Sequence, residues 1–294
     1  MFEGFELENI HTGEATLRVR HGGSGPPLLV LHGHPQTHVM WHKIAPRLAE
    51  DFTVICPDLR GYGGSSKPPT TPDHEPYSKR AMARDMVALM RGFGFEEFSL
   101  VGHDRGGRVA YRLALDHPQH VQRLAVLDIV PTAEMWRKAD KEFGLTDWHW
   151  FFLAQPYPFP ERIIRQSPEN FYFPNRGKFD PEALEDYLRA VRNPATVHAM
   201  CEDYRAGATF DHALDEADRG HRYICCLLLV LWAGKDELGR WFDVPEVWRG
   251  WADDVQGQAV DSGHFLAEEA PDETYGALQA FLTNKPQHAQ TTGD

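Results

Sequence analysis

From residue 16 to 128 the chain repeats one pattern, a short β-rich apolar run followed by a helix-like stretch, and few folds accommodate it. The runs are TLRVR, LLVLH, TVICP, FSLVG and RLAVL, with helical patterning near 42–50, 78–93 and 105–116. This order predicts a mostly parallel sheet flanked by helices, because parallel neighbours need a crossover that packs back on the sheet. Between about 133 and 215 the pattern turns helical, broken by the proline-rich QPYPFP, with its best helix at DPEALEDYLRAVR closed by Asn193-Pro194. Alternation then resumes through ICCLLLVLW, PEVWRGWA, GQAVD and PDETYGALQAFL. The expected organisation is an α/β core over 1–132 and 216–283, with an inserted helical cap over 133–215. Residues 284–294 hold too few apolar side chains to dock and are expected to be a disordered tail.

Charge and cysteine usage exclude several partners. A net charge of −13 without a Lys/Arg cluster argues against nucleic acid, whereas small anions respond to charges within a Debye length and can still find a local cationic pocket. The longest apolar run, 224–233, is about half of what a membrane span requires, and MFEGFELENI lacks a basic region followed by an apolar stretch. Neither membrane association nor a signal peptide is expected. The four cysteines show no metal-ligand spacing, and Cys225 and Cys226 fall inside a strand-like run, so a reducing cytoplasmic setting is expected. His34, His38 and His42 recur every four residues, but Pro35 and the lack of neighbouring acidic or cysteine ligands argue against a metal site.

The segment FSLVG-His103-Asp104-Arg105-Gly106-Gly107-Arg108 sets an acidic residue between a strand and a helix. Glycines at 102 and 106 permit the tight approach of a nucleophile elbow, although Asp104 alone also reads as a helix cap in a βα loop. Its companions favour catalysis. Leu31-His32-Gly33-His34-Pro35 ends a strand where an oxyanion loop belongs, and Ser262-Gly263-His264-Phe265 follows the last strand, where a base belongs. An acid lies between them in order, either Asp128 before the cap or Asp236, in WAGKDELG, after it. Nucleophile, acid, base is the order of the α/β-hydrolase fold.

An aspartate nucleophile narrows the chemistry. Serine attacking a saturated carbon leaves an ether that water does not readily cleave, whereas a carboxylate leaves an ester that activated water hydrolyses. Asp104 therefore predicts displacement at an sp³ carbon of a halide or an epoxide rather than hydrolysis of ordinary esters. Arg105 and Arg108, three residues apart, share one face at the start of the following helix. Cations there oppose the helix dipole unless an anion lodges with them, which predicts a carboxylate on the substrate. The plainer reading pairs them with acids such as Asp85 or Asp116.

Taken together, GHDRGGR, HGHPQTHVMWHKIAP, LDIVPT, WHWFFLAQP, CEDYRAGA and SGHF resemble the fluoroacetate (haloacetate) dehalogenase family over about residues 3–283. That resemblance implies Asp104 as nucleophile, His264 as base, Asp128 as the orienting acid, and Arg105 with Arg108 as the carboxylate clamp. It further implies His149, Trp150 and Tyr204 as the halide pocket, and a homodimer needing no metal or organic cofactor. These three side chains supply N–H and O–H donors for a departing anion, although each aromatic singly, like Trp148, Phe151 and Phe152, also reads as cap packing. His34 stands where the family's HGFPQ has phenylalanine; its backbone N–H, with that of Arg105, still serves as the oxyanion hole.

The implied reaction takes a small anionic 2-haloacid to a 2-hydroxy acid and halide. Epoxide hydrolases share the aspartate but carry tryptophan directly after it, and need cap tyrosines, for which Tyr204 with Tyr172 or Tyr187 are candidates. A non-catalytic ligand-binding member of the fold is the remaining alternative.

Overall fold

The computed structural model describes residues 1–284, so the expected tail falls, from residue 285, outside the described residues. Eight strands form one sheet: β1 (Glu6–His11), β2 (Thr16–Gly22), β3 (Pro27–Leu31), β4 (Thr53–Pro57), β5 (Phe98–His103), β6 (Val121–Leu127), β7 (Leu227–Ala233) and β8 (Val255–Val260). Their spatial order is β1-β2-β4-β3-β5-β6-β7-β8, antiparallel at the β1-β2-β4 edge and parallel from β4 onward.

The central strands are continuous apolar runs because helices cover both of their faces. Every residue of β5 is buried, and fully burying a side chain such as Leu100 or Val101 contributes roughly 1.5–3 kcal/mol. β1, ELENIH, escaped the sequence reading because it is an edge strand with almost no buried side chain and therefore no apolar signal. The helix expected near 42–50 is shorter, a 3₁₀ turn at His38–Trp41 followed by Ala45–Leu48. Cys225 and Cys226 precede β7 rather than lying within it, and all four cysteines are free.

Between β6 and β7 the chain makes a run of helices from Thr132–Lys138 to Phe210–Asp218. One of them, Pro194–Ala208, starts with Asn193 accepting a hydrogen bond from the Ala195 N–H and Pro194 in the first turn. It is buried on most of its surface, which brings Asp203 and Tyr204 over the C-terminal ends of the central strands.

Candidate active site

The turn after β5 carries Asp104 at φ 46°, a left-handed conformation uncommon for a residue with a side chain. It survives because the turn is over-determined by its glycines. A Cβ on Gly102 would lie 2.4 Å from the Gly106 carbonyl oxygen, and one on Gly106 would lie 2.4 Å from that of His32. The helix Asp104–Asp116 therefore starts directly against β3 and β5, with Asp104 in its first turn.

The backbone N–H of His34, on the loop after β3, donates to Asp104 Oδ1 at 2.7 Å. Burial alone would raise the pKa of Asp104, but His264, Arg105, His103 and Arg108 outweigh it and hold the carboxyl below the ordinary range. Asp104 is thus ionised throughout the physiological pH range.

His264 follows β8 and donates from Nδ1 to Asp128 Oδ2 at 2.6 Å. Asp128, at φ 54°, is clamped in turn, because its Oδ1 accepts from the Ala233 N–H and its own N–H donates to Leu231. Burial lowers the His264 pKa, yet the hydrogen bond and charge of Asp128, with Asp104 and Asp236 behind, raise it to about 9. Of the two acids open from sequence, Asp128 makes the hydrogen bond; Asp236 accepts from the Glu237 N–H instead. Asp128, Asp236 and His264 bring ligand-type atoms within 4.8 Å of one another, although Nδ1 of His264 already engages Asp128. His34, His38 and His42 do not converge: His38 pairs with Asp58, His42 with the Val39 carbonyl, and His34 faces a cavity.

That cavity, of about 390 Å³, is lined by Asp104, Arg108, Asp128 and His264 from the sheet domain and by His149, Trp150, Tyr172 and Tyr204 from the helices inserted between β6 and β7. Arg108 donates from Nη1 to the Val130 carbonyl and Thr132 Oγ1, and its guanidinium lies 4.6 Å from the Trp150 ring centre. Arg105 sits one layer behind, 3.5 Å from the Tyr204 ring centre and 4.9 Å from that of Trp150, with no hydrogen bond to any of its three nitrogens. Neither arginine pairs with Asp85 or Asp116, which engage Arg60 and the trio Arg80, Arg112 and Arg222. Arg105 lies 3.9 Å from Asp203.

The sequence reading missed two supports of this arrangement. Asp203, fully buried, accepts from Tyr62 Oη at 2.5 Å and pairs with Lys79, so the charge behind Arg105 is itself fixed. His103, buried and neutral with its pKa lowered to about 4 by burial and by His264, donates from Nε2 to the His264 carbonyl at 2.7 Å and so holds the histidine loop. Tyr172 lines the cavity, whereas Tyr187 donates to Glu268 elsewhere. Only buried polar residues next to apolar ones hinted at Asp203 and His103, and that signal names no partner.

The chain matches the model of the α/β hydrolase fold over residues 26–271. A fluoroacetate dehalogenase from Burkholderia sp. is 47% identical over 97% of this chain and 96% of its own length. A soluble epoxide hydrolase from Corynebacterium sp. (strain C12) is 33% identical over 85% of this chain and 87% of its own. A crystal structure from Nostoc sp. PCC 7120, described as an α/β hydrolase, superposes with a TM-score of 0.95 at 52% identity, covering 97% of this chain and all of that one. The chain belongs to the haloacetate dehalogenase family of the α/β-hydrolase superfamily.

Proposed function

We propose that this chain hydrolyses a small 2-haloacid, such as fluoroacetate or chloroacetate, to the 2-hydroxy acid and halide through an ester on Asp104. The observation that carries the reading is a buried, ionised aspartate in the elbow, sharing one cavity with the Arg108 guanidinium and a His–Asp pair, with Arg105 one layer behind against the Tyr204 ring. In this reading Arg105 and Arg108 neutralise the substrate carboxylate and align its α-carbon with the free oxygen of Asp104. The carbon–halogen electron pair leaves with the halide toward His149, Trp150 and Tyr204, and the configuration at carbon inverts.

The oxygen that already accepts the His34 N–H is the one that bears negative charge when water attacks the ester, so it has one oxyanion donor in place from the start. His264 is the base for that water. It begins protonated beside ionised Asp104; once Asp104 becomes a neutral ester, one charge that raises the His264 pKa is gone and the neutral, basic form becomes accessible. Asp128 keeps the Nδ1–H tautomer, leaving Nε2 for the water. The residues 133–215 act as the cap over this chemistry, the enzyme works as a homodimer, and its free cysteines suit a reducing cytoplasm. Among the described residues, no helix is long and apolar enough to cross a membrane.

Single-turnover hydrolysis in ¹⁸O water should label Asp104, and an Asp104 left unlabelled after turnover rejects the covalent route. A His264→Asn variant should accumulate an ester adduct visible by intact mass. Halide release from fluoroacetate and chloroacetate, set against opening of a styrene-type epoxide, separates this reading from the epoxide one; activity confined to the epoxide overturns it.

A further inference from the structure

The backbone N–H of His34 is engaged with Asp104. Its ring, however, is 9% exposed and lies in the wall of the same cavity, 5.1 Å from the Tyr204 ring, 5.2 Å from that of Tyr172 and parallel to that of His149 at 6.4 Å. Nδ1 is sealed from solvent and has no hydrogen-bond partner; Nε2 is also unbonded but is not sealed off, so it is the ring nitrogen that meets the cavity. A neutral imidazole carries one proton, and placing it on Nδ1 would bury an unpaired donor. The tautomer that avoids this carries the proton on Nε2 and turns an N–H into the cavity that Asp104, His149, Trp150 and Tyr204 also line. Burial keeps the ring neutral, with its pKa lowered to about 3, so this donor persists across the working pH range.

We infer that the His34 side chain is a specificity-determining residue for the leaving group, a fourth hydrogen-bond donor beside His149, Trp150 and Tyr204 that favours fluoride over larger halides. The inference rests on the dehalogenase reading above. Fluoride departs with the electron pair of the carbon–fluorine bond; His34 supplies a hydrogen bond and transfers no proton. A small, charge-dense anion accepts hydrogen bonds far more strongly than chloride, so a donor present in the transition state lowers the barrier for carbon–fluorine cleavage selectively.

The test is the ratio of kcat/KM for fluoroacetate to that for chloroacetate in His34→Phe and His34→Asn. Phenylalanine keeps a ring and the backbone N–H but removes the ring donor, and the ratio should fall about tenfold, the worth of one hydrogen bond. Asparagine restores a side-chain N–H and should keep the ratio within about threefold of the parent. An unchanged ratio in His34→Phe, or equal loss on both acids, overturns the inference while leaving the dehalogenase reading intact. Should His34→Phe not fold, a His34→Asn variant that loses its preference for fluoroacetate does the same. A parent enzyme that releases halide from neither acid overturns both.

Discussion

Asp104 and His264 set each other's protonation, and the sign of that coupling has a measurable consequence. The folded-state pKa of His264, about 9, stands above the unfolded value of roughly 6.5. Its contribution to stability is therefore fully present below pH 6.5 and is lost as pH rises through about 9. Allowing for the 30% exposure of the side chain, that contribution is about 2 kcal/mol. A His264→Gln variant should be less stable than the parent at pH 6, and the gap should narrow by about this amount at pH 10 in urea titrations. A gap that stays constant with pH would show that His264 is not charged in the native state. Replacing Asp128 by Asn leaves the geometry but favours the wrong tautomer, so ester hydrolysis should slow by roughly 10³–10⁴-fold while halide release in the first turnover continues. Equal loss in both steps would mean that Asp128 positions the nucleophile rather than the base.

At the scale of elements, the strand–turn–helix unit from Phe98 to Asp116 is what makes a carboxylate available at the end of the sheet. Its glycines are steric requirements rather than flexible links, since a Cβ at Gly102 would press on the Gly106 carbonyl and on Gly107. Gly102→Ala should cost about 3 kcal/mol or more, or displace the helix start enough to abolish turnover. A thermal midpoint and kcat close to those of the parent would argue against this account of the turn. The helix Pro194–Ala208 has the complementary task, carrying Tyr204 into the cavity and Asp203 behind Arg105 on consecutive residues. Neighbouring positions on a helix diverge by about 100°, so one residue faces the cavity and the next faces the polar layer beneath it.

Across the whole molecule, the helices inserted between β6 and β7 are tied to the sheet domain by buried charges as much as by apolar contact. Lys79 meets Asp203 and Asp211, while Arg112 meets Asp215 and Asp218, all with little or no exposure. Breaking such a pair leaves an uncompensated buried charge, so Asp203→Asn should destabilise by about 3–5 kcal/mol. It should also raise KM for the haloacid, because Arg105 loses its fixed neighbour. Combining it with Lys79→Met should recover at least about 1 kcal/mol of that loss, a coupling that independent sites would not show. Additive losses in the double variant would place Asp203 outside this network.

The amino-acid sequence by itself determined the sheet's central strands, the elbow that holds Asp104, the chain order leading to His264, and the two arginines, because each is a local pattern of period, turn chemistry or spacing. It left the acid open between Asp128 and Asp236 and was silent on Asp203, His103 and β1. The choice of acid depends on where β6 and β7 end relative to β8, a matter of sheet register that brings Asp128 to His264 from far along the chain. Buried polar partners such as Lys79 and Asp203 are likewise invisible locally, since a charged residue looks the same in sequence whether solvated or paired. The elbow with Asp104 could be read from one turn; the field that keeps it ionised, and the N–H and O–H donors that share its cavity, exist only once strands, elbow and inserted helices come together.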